Sequence, residues 1–173
     1  MTELQTERLR LRAVRREDAQ RIFDYWASDP EVTKYLTWPP HSSVEVTELV
    51  MDRWLAEYDK PDVYRYGIEL KESGALIGMI DVVHFTDGCP VIGYCSGRPT
   101  WGRGYMTEAL KALCARLFED GYRTILIRAI DENIGSNRVI QKAGFRFTGS
   151  VTGPISPKKP EIVTVNEYRL DRE

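Results

Sequence analysis

Histidine and cysteine are scarce in this chain. The two histidines, His41 and His84, stand far apart, and the three cysteines, Cys89, Cys95 and Cys114, form no CxxC or zinc-type spacing. No metal centre is therefore expected. An odd cysteine count without paired spacing fits reduced thiols, and no sequence neighbour would activate one as a nucleophile. A basic excess is missing too. Lysine and arginine number 24 against 26 acids, for a net charge of −2. Such a surface lacks the field that non-specific nucleic-acid binding needs. No apolar run reaches membrane-spanning length and no signal-peptide pattern opens the chain, so a cytoplasmic protein with no membrane partner is expected. Repeats, low-complexity tracts and linkers are absent as well.

What is present reads as ordinary globular sequence. The 173 residues are 42% hydrophobic and 29% charged, enough for a sizeable core in one domain over residues 1–173. Residues 9–14 alternate apolar and polar as a half-buried strand. Residues 17–27 carry Ile22, Phe23 and Trp26 on one helical face, with Pro30 stopping or restarting the helix. Ser42 with Glu45 resembles a capping box for a helix to about Tyr58. Residues 64–70 and 76–85 form a hairpin through Lys71-Glu72-Ser73-Gly74, and residues 91–96 follow as a strand. A helix then carries Met106, Ala109, Leu110, Leu113, Cys114, Leu117 and Phe118 at i, i+3, i+4 spacing, a core stripe capped by Gly121. Residues 124–129 read as a buried strand and 134–143 as a shorter helix stopped by Gly144. Residues 145–148 and 162–170 read as strands, and 151–161, rich in Pro, Gly and Ser, as a loop. Helices alternate with strands only in the second half, so a mixed sheet is expected.

Trp101-Gly102-Arg103-Gly104-Tyr105-Met106-Thr107 joins a strand to that amphipathic helix. Two glycines permit close backbone approach, and free N–H groups at a helix start suit a phosphate. The third glycine of a dinucleotide fingerprint is missing, since Thr107 stands there, and no Gly-Lys-Ser/Thr makes a P-loop. By itself the segment is a phosphate cradle or a plain turn.

Further segments stand in a characteristic order: Thr6-Glu7-Arg8-Leu9-Arg10-Leu11-Arg12, Arg16-Glu17-Asp18-Ala19, Gly78, Ile92-Gly93-Tyr94, the glycine turn through Glu108-Ala109, and Asn133-Ile134-Gly135-Ser136-Asn137-Arg138-Val139-Ile140-Gln141-Lys142-Ala143-Gly144-Phe145. Jointly they resemble the GNAT N-acetyltransferases, in particular the RimJ/RimL ribosomal-protein branch. The resemblance implies an α+β fold, an α/β/α sandwich on a mixed, mostly antiparallel sheet, with a splay between the fourth and fifth strands. It implies acetyl-CoA as co-substrate. The pyrophosphate would lie on Trp101, Gly102, Arg103, Gly104, Tyr105, Met106 and Thr107. The pantetheine would pair along Tyr94, Cys95 and Ser96, and Asn133 and Ser136 would contact the pantetheine and thioester sulfur. Three positions depart from the pattern: Trp101 stands for Gln or Arg, Met106 for Gly or Ala, and Val91 for an acid two residues before Gly93.

Acyl transfer to an amine requires a neutral amine, a stabilised oxyanion and a leaving thiolate. A backbone N–H of the strand from Tyr94 to Ser96 suits the oxyanion. Ser136 is the candidate to protonate or hydrogen-bond the sulfur, with a helix N-cap as the alternative. Asn133 has the same alternative. Tyr105 and Glu108 read as structural, Glu108 because a carboxylate suits the first helical turn. Asp81, His84 and Glu161 are the candidate bases. The acceptor is a protein N-terminus or a small amine. Without the strand acid, low-pKa α-amines should outrun lysine side chains. A catalytically inactive acyl-CoA-binding sensor is the competing reading. Exposed aromatics such as Trp38 would allow a homodimer.

Overall fold

A computed structural model describes residues 2–172. One eight-stranded sheet runs through it in the order β1-β2-β3-β4-β5-β6-β8-β7. The strands are β1 (Leu4–Gln5), β2 (Leu9–Arg12), β3 (Arg65–Leu70), β4 (Leu76–Thr86), β5 (Cys89–Ser96), β6 (Thr124–Ile130), β7 (Arg146–Ser156) and β8 (Lys159–Asp171). Every pairing is antiparallel except β5 with β6. That parallel pair needs a crossover, which α4 (Tyr105–Glu119) supplies.

Two apolar clusters cover the two faces. On one, Leu110, Leu113 and Leu117 of α4 and Ile140 of α5 (Ile134–Lys142) pack on Ile80, Ile92, Ile125 and Ile127. On the other, Ile22 and Trp26 pack with Met51 against Leu76 and Met79. They come from α1 (Ala19–Ile22), the turn behind it and α3 (Val44–Leu55). The layers are therefore helix, sheet, helix. The two motif segments near the N-terminus are structural. Arg12 is buried and forks onto Asp18 at 2.8 and 3.0 Å while its Nε donates to Glu69 at 2.6 Å. A planar guanidinium with two carboxylates satisfies its own buried charge.

Several boundaries differ from the sequence reading. Residues 151–161 are not a loop: β7 and β8 form one long hairpin turning at Pro157-Lys158. β7 is the outer strand of the sheet, and Pro154 sits at an irregularity in its register. Pro160 lies beyond the stretch of β8 that pairs with β6. Prolines at such edges forfeit no ladder bond, so a loop-like composition still makes strand. The expected helix over 17–27 is broken: a 3₁₀ turn at Arg16–Asp18, then α1, then a π-turn at Phe23–Ala27. Ser28 closes that turn by donating both its N–H and its hydroxyl to the Phe23 carbonyl, at 3.1 and 2.7 Å. Pro30 restarts the chain as α2 (Pro30–Thr33), where the Asp29 carboxylate accepts from Glu31 N–H. The N-cap of α3 is Ser43 rather than Ser42, no capping box forms there, and the helix ends at Leu55. Leu4–Gln5 adds a first strand, so the strands expected to splay as fourth and fifth are β5 and β6.

Candidate active site

β5 and β6 pair only at Val91–Leu126 and Ile92–Ile127 and then part. Gly97 N–H donates to Ile77 O at 3.0 Å, which fixes the alternation along β5. Gly97, Cys95 and Gly93 turn their backbone groups to β4; Tyr94 and Ser96 turn theirs to the gap. The backbone groups of these two residues thus find no strand partner across the gap. Trp101, half exposed, folds its indole back so that Nε1 donates to Ser96 O at 2.9 Å.

The gap opens into a cleft of about 1600 Å³. Pockets for single small ligands run to about 300–1,000 Å³, so this one has room for two reactants. Gly102, Gly104, Tyr105, Met106 and Thr107 line one end of it, and Asn133 and Ser136 line its wall. Residues 35–42, Trp54 and the β7–β8 hairpin bound the other end. The hairpin is latched there: Lys159 Nζ donates to the carbonyls of Thr33, Lys34 and Leu36 at 2.8, 2.7 and 3.0 Å. These carbonyls lie at and just beyond the end of α2, where Thr33 O also accepts from Leu36 N–H and the ammonium supplies the further donors.

At the glycine turn, Gly102 and Gly104 have φ of +73° and +79°. Gly104 is the N-cap of α4 and offers no capping side chain. The first intrahelical bond runs from Glu108 N–H to Gly104 O, so the N–H groups of Tyr105, Met106 and Thr107 have no helical acceptor. Behind the turn, Arg8 donates to Arg103 O at 3.0 Å, lies 4.6 Å from the Tyr105 ring centroid and pairs with Glu108 at 2.7 Å. Burial pushes the Glu108 carboxyl up, but hydrogen bonds from Thr6 and Arg8 outweigh it and hold it below its ordinary value. Glu108 therefore ties β2's approach to α4, and Tyr105 and Met106 pack on the core. The Arg103 side chain is exposed.

Ser136 is not the cap of α5. Asn133 is: its Oδ1 accepts from Ser136 N–H at 3.2 Å. The Ser136 hydroxyl instead lies 2.8 Å from Tyr94 Oη, which also donates to Ser136 O at 3.2 Å. Burial raises the Tyr94 phenol above its ordinary pKa, so it stays neutral. Beneath this pair, buried Asn137 donates to Asn133 O and Ile130 O and accepts from Tyr168 at 2.6 Å and Asn166 at 3.2 Å. Sequence reasoning missed the roles of Asn137, Asn166 and Tyr168. The run Ser136-Asn137 was visible, but its partners on β8 were not.

Cys95 packs on the α1–α3 side, and burial pushes its thiol up to about 12, with Asp81 adding to the rise. Trp38 is half-buried rather than exposed and lines the cleft, with its ring 5.1 Å from His41. Of the three candidate bases, Asp81 and His84 line the cleft and Glu161 does not. No helix is long and apolar enough to cross a membrane among the described residues.

The family profile described as Acetyltransferase (GNAT) domain matches residues 8–146. The chain belongs to the GNAT acetyltransferase family. It is 31% identical over 160 residues to the uncharacterized N-acetyltransferase p20 of Bacillus licheniformis, covering 86% of this chain and 85% of that one. Among solved structures, a GNAT-family acetyltransferase from Bacillus anthracis superposes with a TM-score of 0.85 at 23% identity, over 98% of both chains. RimL, a ribosomal L7/L12 alpha-N-protein acetyltransferase in complex with coenzyme A, superposes with a TM-score of 0.85 at 19% identity, over 98% of both chains. These two show the shared fold. The protein is an acetyl-CoA-dependent N-acetyltransferase, and its β5 and β6 pair at two positions only before they part.

Proposed function

We propose that this GNAT enzyme passes the acetyl group directly from acetyl-CoA to a primary amine, with both reactants held in the one cleft. The observation that carries this is the meeting of two features there. The N–H groups of Tyr105, Met106 and Thr107 converge at one end, and the backbone edge of Tyr94 and Ser96, where Ser96 O accepts from Trp101, runs toward the other. The glycine turn fits a pyrophosphate, because positive φ at Gly102 and Gly104 leaves space where side chains would intrude. Bound there, acetyl-CoA supplies an activated acyl group. The chain's own residues orient it and manage protons. Ser136, backed by Tyr94, hydrogen-bonds or protonates the departing sulfur, and Asn133 holds the turn that presents Ser136. Cys95, raised by burial, takes no covalent part.

The acceptor end is bounded by aromatic Tyr35, Trp38 and Trp54 with Asp81 on its floor. That lining suits a cationic amine approaching by its head, a protein N-terminus or a small amine, and a cytoplasmic site of action agrees with the composition. Binding of both substrates at once supplies proximity, worth about 7–11 kcal/mol in well-oriented systems. A crystal structure with coenzyme A tests the reading. Density between β5 and β6, with the thiol near Ser136, is expected. Coenzyme A bound elsewhere would refute it.

A further inference from the structure

The β5 position that the family resemblance reserves for an acid holds Val91, and its side chain is buried. Side chains alternate along a strand, so Val91, Gly93 and Cys95 share one face. Cys95 and its partner Met79 pack under α1 and α3, which identifies that face. Asp81 on β4 is the cross-strand partner of Gly93, so its carboxylate stands on the same face. Gly93 lets two β4 side chains close over it: a Cβ there would meet Val83 Cγ1 at 2.8 Å, and Asp81 Oδ1 lies 3.8 Å from the same point. The irregularity in register between Val82 and His84 brings Val83 over that glycine beside Asp81, and His84 lies further along the strand and is exposed. Asp81 lines the cleft with Trp38, Trp54 and Tyr94. The cleft's other histidine, His41, has its Nδ1 engaged by the Thr47 hydroxyl at 2.8 Å.

We infer that Asp81 is the general base of the acetyl transfer, supplied by the neighbouring strand where β5 has lost its acid; this rests on the amine-acetylation reading above. The carboxylate takes one proton from the acceptor ammonium. The freed nitrogen lone pair forms the C–N bond to the acetyl carbon as the C–S bond breaks. The second amine proton ends on the thiolate sulfur, and Asp81 later returns its proton to solvent. The net reaction converts ammonium and thioester to amide, thiol and one proton.

The charged and titratable groups around Asp81 are Arg65 on β3, at 3.4 Å, and Glu57, which shares Arg65 at 2.8 Å. Tyr58 stands behind them, Cys95 comes from β5, and His41 and His84 lie along the cleft. Burial lifts the Asp81 carboxyl to about 6 against the opposing pull of Arg65. A base of that strength is ionised at neutral pH and still accepts a proton.

The test compares wild type, Asp81→Asn and Asp81→Glu, with a short peptide α-amine as acceptor. The wild-type kcat should rise with pH through a limb near 6 and then level. In Asp81→Asn, kcat at pH 7 should drop about 10²–10⁴-fold and follow the acceptor's own ionisation near 7.7–8.0. Asp81→Glu should restore part of the acid limb. Calorimetric binding of coenzyme A should stay within threefold in all three, and carbon-13 NMR of the free wild-type enzyme should show one carboxyl titrating near 6. An Asp81→Asn enzyme with wild-type kcat and profile overturns the inference while leaving acetyl transfer intact. If that variant fails to fold, an Asp81 carboxyl titrating in the ordinary carboxylate range overturns it instead. A wild type that binds coenzyme A but acetylates no amine sinks both readings.

Discussion

Tyr94 Oη lies 2.8 Å from the Ser136 hydroxyl, so a side chain of β5 reaches across the gap to the first turn of α5. Tyr94 has one proton, and it has a carbonyl acceptor in Ser136 O at 3.2 Å. When Tyr94 donates instead to Ser136 Oγ, the Ser136 proton is free for the sulfur. The two hydroxyls form a short relay beside the proposed sulfur position. Ser136→Ala should lower kcat about 10–100-fold with little change in the KM for acetyl-CoA, because the bond strengthens only as charge builds on sulfur. The low end applies because a thiol with pKa near 8.5 leaves readily. Tyr94→Phe should cost less, and the double variant should cost about as much as Ser136→Ala alone. Additive effects in that cycle would separate the two residues.

Gly104 caps α4 at a φ of +79°, and a Cβ there would meet Arg8 Nη2 at 3.4 Å. Gly104→Val strains the backbone and intrudes on the phosphate turn. Calorimetry should show coenzyme A binding weakened at least tenfold, about 1.4 kcal/mol. Unchanged affinity in a folded variant contradicts the placement of the pyrophosphate.

Cys95 should be dispensable. With its thiol pushed up to about 12 by burial, almost no thiolate exists at neutral pH. Cys95→Ala should retain most activity, and mass spectrometry of enzyme mixed with acetyl-CoA should find no acetyl group on Cys95. A trapped thioester would replace direct transfer by a two-step route.

Asp81 carries a stability cost that follows from its position. Its folded pKa, about 6, lies above the ordinary 3.8. Between those values the folded protein binds the proton more tightly than the unfolded chain. Stability therefore falls as pH rises from 4 to 6 and stays lower above it. The lift corresponds to at most about 3 kcal/mol. Asp81→Asn should melt several degrees higher than wild type at pH 8 and about equally at pH 4. A lower melting temperature at pH 8 would show that the Arg65 pair outweighs burial.

The fold was legible in sequence wherever periodicity and caps were strong. Gly121 and Gly144 end α4 and α5 with paired backbone bonds, Tyr122 N–H to Leu117 O and Phe145 N–H to Ile140 O. The α4 stripe is buried as its spacing implied. The far end of the β7–β8 hairpin hid because Pro154 on β7 and Pro160 on β8 read as loop until their edge positions are known. The π-turn at Phe23–Ala27 keeps a helical composition, so no local signal marks it. Within the site, the glycine turn and the Asn133–Ser136 spacing were visible as chain-local patterns. The Tyr94–Ser136 contact joins residues 42 apart, and the choice among Asp81, His84 and Glu161 depends on strand register. Only pairing across β4 and β5 shows which carboxylate shares the face of Val91.

The decisive measurement is release of coenzyme A thiol with paired peptide acceptors, one offering a free α-amine and one only a lysine side chain, with the products identified by mass. A base near 6 reaches an α-ammonium of pKa about 7.7–8.0 far more readily than a lysine near 10.4. Stoichiometric N-acetylation, faster on the α-amine at pH 7, is the expected result. Tight coenzyme A binding with no turnover on either peptide or on any small amine would contradict catalysis and favour an acyl-CoA sensor.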